Sequence, residues 1–217
     1  MISAREAARR MSQCCRQLAA RGLIAGQDGN ISVRLSSTRV LVTPSGLIKS
    51  LVNPGDMVEV DLAGRKRRGR HNPTSELDLH LRILRRRKDV GAVVHAHPPV
   101  ATGFAVAGES FNTLVLPELI FLIGEVPLVP YGTPGTPELG DRVEAVIDGH
   151  EAVLLANHGA VTVGETLDRA WIRMESLEHA AQILWYARQL GRVTELDGAA
   201  VAKLESLRER AKRERHA

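Results

Sequence analysis

The sequence predicts an α/β protein in which helices cover a central sheet. Segments with apolar residues at helical spacing alternate along the chain with short runs of Val, Leu and Ile, and turn residues separate them. The chain has 217 residues, of which 44% are hydrophobic and 25% are charged, so it is long enough for one well-buried core. We therefore expect a single domain over residues 1–217, with its core at about 5–190 and a charged helical tail over 198–217.

The elements follow in chain order from hydrophobic periodicity and turn residues. A first helix covers residues 4–21 and stops at Gly22, because glycine adopts the left-handed conformation that ends many helices. Short strands divided by Ser, Pro and Gly turns follow between residues 31 and 60. The later predicted elements are a helix from 73–75 to about 88, a strand over 90–96, a helix over 98–106, a strand over 126–129, a helix over 138–147, strands over 152–156 and 160–163, a helix over 167–190 and the helical tail.

Charge and composition limit the classes of partner. The formal net charge is +4, and basic clusters occur at 65–70, 82–88 and 208–215, of which the first resembles a hairpin turn. No zinc finger, RNP motif or aromatic stacking platform accompanies these clusters, so we predict no nucleic-acid binding. We interpret them as solvated faces or subunit contacts, and a modest positive field would also suit an anionic substrate.

Several features predict a cytoplasmic protein with no membrane contact. The longest apolar runs, such as 152–156, are far shorter than the roughly 20 residues that span a bilayer. The N-terminal segment lacks the apolar core of a signal peptide. Cys14 and Cys15 are adjacent, and adjacent residues do not form an ordinary structural disulfide.

Three histidines at predicted strand ends indicate a metal site. His95 and His97 are two residues apart on one strand, so both side chains point to the same face, about 6.5 Å apart along the chain. His158 follows another buried strand and precedes a glycine. The pair alone is equally compatible with one core histidine and one exposed histidine. Three histidines without cysteine are typical of an open catalytic zinc site, and manganese or cobalt could use the same ligands.

Glu76 is the predicted fourth group at this metal. It follows Thr74 and Ser75, either of which can cap the helix, and Asp78 lies three residues after Ser75 as in a capping box. Glu76 would then lie in the first helical turn, where the helix dipole favours a carboxylate. This dipole role is the structural alternative to metal binding.

Small and hydroxyl-bearing residues at three turns predict an anion site. Backbone N–H groups at such turns cradle phosphate at little steric cost, although ordinary turns have the same composition. The residues are Gly29, Asn30, Ser45, Gly46, Thr74 and Ser75.

Taken together, these segments resemble the class II aldolase/adducin family over about residues 5–190. The matching segments occur in the family's order, and their joint signal is stronger than that of any one of them. They are DGNISVR (28–34), TPSG (43–46), PTSE (73–76), VVHAH (93–97), PYGTPGT (130–136) and LANHG (155–159).

The resemblance implies a three-layer α/β/α domain with a largely antiparallel sheet, in a homotetramer with active sites between subunits. It implies that His95, His97 and His158 bind zinc. Glu76 would bind the empty metal and become an acid/base when substrate arrives. It also implies phosphate binding by Asn30, Ser45, Gly46, Thr74 and Ser75, with Gly29 shaping the loop. Gln27 stands where aldolases of the family have a threonine, and it can still donate a hydrogen bond.

The implied activity is zinc-dependent cleavage of a short ketose or deoxyketose 1-phosphate, such as a fuculose-1-phosphate-like sugar, to dihydroxyacetone phosphate and an aldehyde. The segment 114–119 lacks the tyrosine that acts on the aldehyde in such aldolases, and the tail contains no tyrosine either. Glu118 is a candidate for that role, although a solvated loop carboxylate is nearly as good an interpretation. Epimerisation, dehydration or decarboxylation of a sugar phosphate, or a non-catalytic adducin-like module, are the alternatives.

Overall fold

Eight strands form the central sheet in the computed structural model, which describes residues 2–111 and 113–216. The strands are β1 (Asn30–Arg34), β2 (Arg39–Val42), β3 (Val58–Asp61), β4 (Lys66–Arg68), β5 (Ala92–Ala96), β6 (Leu128–Val129), β7 (Ala152–Leu155) and β8 (Gly159–Gly164). Their order across the sheet is β4-β3-β2-β1-β5-β8-β7-β6. β6 and β7 are parallel and every other neighbouring pair is antiparallel.

Helices lie on both faces of this sheet. They are α1 (Ala4–Ala20), α2 (Leu77–Arg86), α3 (Pro99–Ala107), α4 (Pro117–Leu122), α5 (Pro137–Glu144), α6 (Leu167–Leu190) and α7 (Gly198–His216). One hydrophobic cluster joins a sheet face to α1, α3, α4 and α6, and a second cluster joins the other face to α2 and α5. The predicted three-layer α/β/α fold with a largely antiparallel sheet is therefore confirmed. Within the described part of the chain, no helix has the length and apolar character that crossing a membrane requires.

β5 lies in the middle of the sheet and is buried on both faces. Val94 packs in the cluster of α1 and α6, whereas Val93 packs in the cluster of α2 and α5. This alternation follows from the two-residue period of a strand. It also explains why the segment is almost entirely apolar until the chain reaches His95.

Strand register brings separate parts of the sequence to one edge of the sheet. Asn30 at the start of β1 pairs with His95 near the end of β5, and Ala96 pairs with Ala160 of β8. The tight connection between β7 and β8 carries His158 to the same edge. The hydrogen-bond pattern of the sheet thus sets which polar side chains meet.

The start of α2 differs from the prediction. The helix begins at Leu77, so Glu76 occupies the N-cap position rather than the first turn, and its side chain caps nothing. Thr74 Oγ1 accepts a hydrogen bond from the backbone N–H of Glu76 at 3.3 Å. Asp78 binds Arg82 at 2.6 Å instead of closing a capping box. The carboxylate of Glu76 is consequently not engaged by its own helix.

Two short elements escaped the prediction, and one basic cluster has a different setting. The sequence predicts a loop at 114–119, but α4 begins at Pro117, whose fixed φ suits a first helical position. β4 consists of three exposed basic residues, a composition that gives no strand pattern.

The basic cluster at 82–88, for which the sequence predicts a solvated face or a subunit contact, partly binds α2 to α5 within the chain. Arg82 pairs with Asp141 and Glu144 there.

Candidate active site

The three predicted histidine ligands meet at the end of β5. Their ring centroids lie 4.7 to 5.1 Å apart, and one potential ligand atom from each lies within 4.8 Å of the others. His95 is fully buried, and His97 and His158 are half-buried. Gly159 is required for this approach, because a Cβ there would lie 2.5 Å from the Ala96 carbonyl oxygen and 2.6 Å from His97 Cδ2.

Backbone hydrogen bonding fixes which nitrogen of His95 faces the other histidines. His95 Nδ1 lies 3.0 Å from the carbonyl oxygen of Ala160, and a carbonyl only accepts, so Nδ1 carries a proton. His95 Nε2 then faces His97 Nε2 at 3.1 Å and Glu76 Oε2 at 3.2 Å. Two imidazole nitrogens and a carboxylate oxygen therefore converge on one small volume, which suits a cation there, either a proton on His95 or a metal ion.

Glu76 completes the cluster through both carboxylate oxygens. Oε2 contacts His95, and Oε1 lies 3.4 Å from His158 Nε2. Burial acts to raise the pKa of Glu76, but the charge of His95 and hydrogen bonds from His95 and Asn30 lower it well below its usual range. The carboxylate is therefore ionised.

The histidines differ in charge. Burial acts to lower the pKa of His95, but the adjacent Glu76 carboxylate raises it above its usual value. Burial and then the neighbouring His95 lower the pKa of His97, and the same causes lower the pKa of His158 to about 4. His95 is therefore protonated and supplies the positive charge beside Glu76, whereas His97 and His158 remain in the neutral form that binds metals.

This donor set fits a divalent metal ion. Three imidazoles are a common ligand set of an open catalytic zinc site, which leaves the fourth position for another group, and they also suit other first-row divalent ions. Among the described residues, Glu76 Oε1 and His158 Nδ1 are buried without a hydrogen-bond partner. His95, His97 and His158 would hold a divalent ion, and Glu76 Oε1 is oriented to bind it as well.

A buried chain of hydrogen bonds, which sequence reasoning missed, orients Asn30. Asn30 Nδ2 donates to Glu76 Oε2 at 2.7 Å, so Asn30 Oδ1 faces His80 Nε2 and accepts its proton. His80 Nδ1 must then accept from the Ser32 hydroxyl, 2.7 Å away. The sequence signal was the four-residue spacing of Glu76 and His80, which places both on one side of α2.

A cavity of about 290 Å³ opens beside the histidines. Its lining includes every residue that was predicted to bind phosphate, together with Glu76, His97 and His158. The predicted phosphate residues are Gln27, Gly29, Asn30, Ser45, Gly46, Thr74 and Ser75. Asp28, Lys49 and Pro134 also line it and were not singled out from the sequence.

The cavity wall is formed by two loops held side by side. An isolated β-bridge joins Pro44 to Pro73, and Thr74 N–H donates to the Thr43 carbonyl at 3.0 Å. Gly29 lies at φ +72°, and a Cβ there would lie 2.6 Å from Ile24 Cγ2. Glycine is therefore required where the first loop passes over β5. These contacts hold the turns at 43–46 and 73–75 together and place the turn at 27–30 against β5.

Glu118 is not brought to this site within one chain. It is exposed on the first turn of α4 and is not among the residues that line the cavity. Its predicted catalytic role remains a prediction, and it would require a neighbouring subunit.

Comparisons with known proteins agree with this geometry. Residues 9–185 match the family model described as Class II Aldolase and Adducin N-terminal domain. The 5-deoxy-D-ribulose 1-phosphate aldolase of Bacillus thuringiensis is 38% identical, over 78% of this chain and 80% of that protein. The 3-oxo-tetronate 4-phosphate decarboxylase of Pectobacterium atrosepticum is 32% identical, over 76% and 77% of the two chains.

The solved structure of L-fuculose-1-phosphate aldolase from Thermus thermophilus superimposes with a TM-score of 0.76 at 34% identity, over 89% of this chain and 99% of that one. The family match covers the whole sheet and all three histidines. The chain therefore belongs to the class II aldolase and adducin family, as an enzyme of the metal-dependent lyase type.

Proposed function

We propose that this protein is a zinc-dependent aldolase that cleaves a short ketose or deoxyketose 1-phosphate to dihydroxyacetone phosphate and an aldehyde. The observation that carries the proposal is the position of Glu76 between the histidine cluster and the small-residue cavity. Its carboxylate contacts His95 and His158 at 3.2 and 3.4 Å, and Thr74 and Ser75 directly precede it in the cavity wall. A small molecule that carries both groups would place its phosphate in the cavity and its carbonyl at the histidine cluster.

The chain's own residues divide the work. The polar groups of 27–30, 43–46 and 73–75 would bind the phosphate and hold the sugar in one orientation. A divalent ion bound by the three histidines supplies Lewis-acid stabilisation of the negative charge that develops on the substrate's carbonyl oxygen. Breaking the carbon–carbon bond leaves electron density on the carbon next to that carbonyl, and this carbon must receive a proton.

Glu76 is positioned for that proton transfer. Its low pKa depends on His95 and Asn30, so displacement of its carboxylate by substrate would remove part of this stabilisation and raise its proton affinity. A carboxylate freed in this way can take the hydroxyl proton of the cleaved sugar and deliver it to the carbon that becomes the hydroxymethyl group of dihydroxyacetone phosphate. The aldehyde leaves with the other half of the carbon chain.

One alternative reaction has a specific observation in its favour. A relative at 32% identity is named as a decarboxylase of a 4-phosphorylated oxo acid, and decarboxylation also leaves electron density next to a carbonyl. Epimerisation and dehydration of sugar phosphates share this chemistry, and Glu118 would replace tyrosine as the distal acid/base in each case. A non-catalytic adducin-like role does not explain why all four metal-binding side chains are present.

Product analysis tests the proposal directly. Protein loaded with zinc and incubated with a panel of ketose 1-phosphates should release dihydroxyacetone phosphate, measured by coupled reduction to glycerol 3-phosphate. Chelation should abolish the release, and Glu76→Gln should retain the metal while losing at least about 100-fold in rate. His95→Ala should lose both metal and activity. NMR of the products separates aldol cleavage from decarboxylation or epimerisation, and fully loaded protein that cleaves no member of the panel would refute the aldolase assignment.

The proposal includes a cytoplasmic homotetramer. Exposed apolar side chains along α6 support self-association, since Trp185, Tyr186 and Leu190 are 47%, 60% and 91% exposed in the single chain. The rings of Trp185 and Tyr186 pack together with centroids 5.1 Å apart, and a neighbouring copy would cover them. Light scattering should give a mass of about four chains, and a monomeric protein with full activity would contradict an active site shared between subunits.

A further inference from the structure

Lys49 is a buried lysine at the wall of the phosphate cavity. It begins a short 3-10 turn that follows the Ser45–Gly46 loop, and only 3% of its surface is exposed. Lysine is rarely buried to this extent unless its ammonium group has partners. Lys49 is nonetheless among the residues that line the cavity, so this residue borders the space where a ligand would lie.

Two backbone carbonyls account for part of its hydrogen-bonding capacity. Nζ donates to the carbonyl oxygen of Gln27 at 2.7 Å and to that of Leu47 at 3.2 Å. An ammonium group has three N–H donors, so one remains for a further acceptor. Gln27 and Leu47 belong to the two loops that carry Gly29–Asn30 and Ser45–Gly46. Lys49 therefore lies between the loops that were predicted to hold phosphate.

The charges around the cavity show why a cation is needed there. Among the described residues that line it, Lys49 is the only lysine or arginine, whereas Asp28 and Glu76 are acidic. A phosphate monoester carries close to two negative charges at neutral pH. Without Lys49, an anion at this end of the cavity would meet hydroxyl and backbone donors but no full positive charge. A bound dianion would, in turn, compensate the buried ammonium group.

We propose that Lys49 is the cationic ligand of the substrate's phosphate group and that it makes the site select phosphorylated over unphosphorylated ketoses. This inference rests on the proposed function, because it assumes a phosphorylated substrate. Neutral carbonyl partners alone would make Lys49 a tie between two loops. The two roles differ in one respect: a loop tie contributes to folding, whereas a phosphate ligand changes affinity for a phosphate monoester in protein that remains folded.

The test compares Lys49→Met and Lys49→Arg in the metal-loaded protein. The probe is methyl phosphate, titrated by calorimetry, because it carries the dianionic phosphate without a sugar. Lys49→Met should weaken its binding by about 10- to 100-fold, the usual range for a charge-assisted hydrogen bond to a buried anion. Lys49→Arg, which keeps the charge, should bind within about tenfold of the wild type. Lys66→Met, on the exposed edge strand β4, is the matched control and should leave binding unchanged.

A second measurement does not depend on how the variants fold. In the wild-type protein labelled with ¹⁵N-lysine, the Lys49 ammonium signal should shift when methyl phosphate is added and remain in place when the same ionic strength is made up with chloride. Unchanged methyl phosphate affinity in folded Lys49→Met, or a Lys49 signal that does not move at saturation, would overturn the inference. If the wild type binds no methyl phosphate, the phosphorylated substrate itself is wrong. If it binds methyl phosphate and Lys49→Met binds equally well, only the role of Lys49 is wrong.

Discussion

Replacing His80 with glutamine will reduce the loss of stability that the protein undergoes between pH 7 and pH 5. His80 is completely buried between Ser32 and Asn30, and burial lowers its pKa from 6.5 to about 3. In the unfolded chain the ring takes up a proton near pH 6.5, whereas in the folded chain it stays neutral. The unfolded state therefore binds more protons as the pH falls, and the stability associated with neutral His80 is lost below pH 6.5.

The size of this effect follows from the two pKa values. At pH 5 the unfolded chain is about 1.5 pH units below the pKa of free histidine, and each unit is worth about 1.4 kcal/mol, so His80 alone lowers the free energy of unfolding by roughly 2 kcal/mol relative to pH 7. The loss continues down to about pH 3, where the folded protein would also protonate the ring. His80→Gln removes this titration, so its stability should fall about 2 kcal/mol less than that of the wild type over the same interval.

The assay is urea unfolding of chelator-treated protein at a series of pH values and at one protein concentration, followed by tryptophan fluorescence. Wild type and variant both contain the metal-binding histidines, so the quantity compared is the difference in unfolding free energy between the two proteins at each pH. His179→Gln, at an exposed position of α6, is the matched control and should follow the wild type. If His80→Gln and the wild type lose the same free energy between pH 7 and pH 5, burial does not hold His80 neutral, and the assigned direction of its hydrogen bonds fails with it.

Three further substitutions test other parts of the structure. Gly159→Ala should cost about 1–3 kcal/mol in urea unfolding and weaken metal binding at least about tenfold, because the added Cβ displaces His97; normal metal affinity would contradict the contact. Asp56→Asn should lower the free energy of unfolding by about 1–2 kcal/mol at pH 7, since Asp56 accepts hydrogen bonds from Asn53 N–H and Arg70. Those hydrogen bonds lower the pKa of Asp56 to about 2, so the difference in stability between wild type and variant should vanish between pH 4 and pH 2. Glu178→Gln should cost about 1–2 kcal/mol in thermal or urea unfolding, because this buried carboxylate accepts backbone N–H groups at the start of α3; an unchanged unfolding curve would rule out that capping role.

Sequence patterns were sufficient for the site wherever a local rule fixed the position of a side chain. The two-residue spacing on β5 predicted that His95 and His97 share a face, and the structure brings both together with His158. Their meeting with Asn30 depends on the pairing of β1 with β5, for which no local signal exists, because register is decided by which apolar faces are buried together. The resemblance to a family supplied that long-range information.

The errors arose where tertiary contacts overrode local preference. Ser75 and Asp78 have the spacing of a capping box, yet Asp78 pairs with Arg82 and the helix begins one residue after Glu76. The sequence predicts no role for Lys49 or His80, because a single lysine in a turn and a single histidine in an amphipathic helix are common. Their burial, and the groups they bind, are properties of the assembled loops and sheet.

The position of Glu76 at the N-cap of α2 connects the proposed phosphate site to the proposed metal site. The backbone N–H of Glu76 donates to Thr74 Oγ1 in the cavity wall, and its carboxylate contacts His95 of the histidine cluster. A phosphate bound at Thr74 and Ser75 would therefore lie within two residues of the group that must leave the metal. Because one short segment would contact both the phosphate and the metal-binding carbonyl of the substrate, a sugar that lacks phosphate should fail to displace Glu76 even when its carbonyl can reach the metal. Comparing phosphorylated and unphosphorylated substrates under saturating conditions would reveal this link as a difference in kcat as well as in KM.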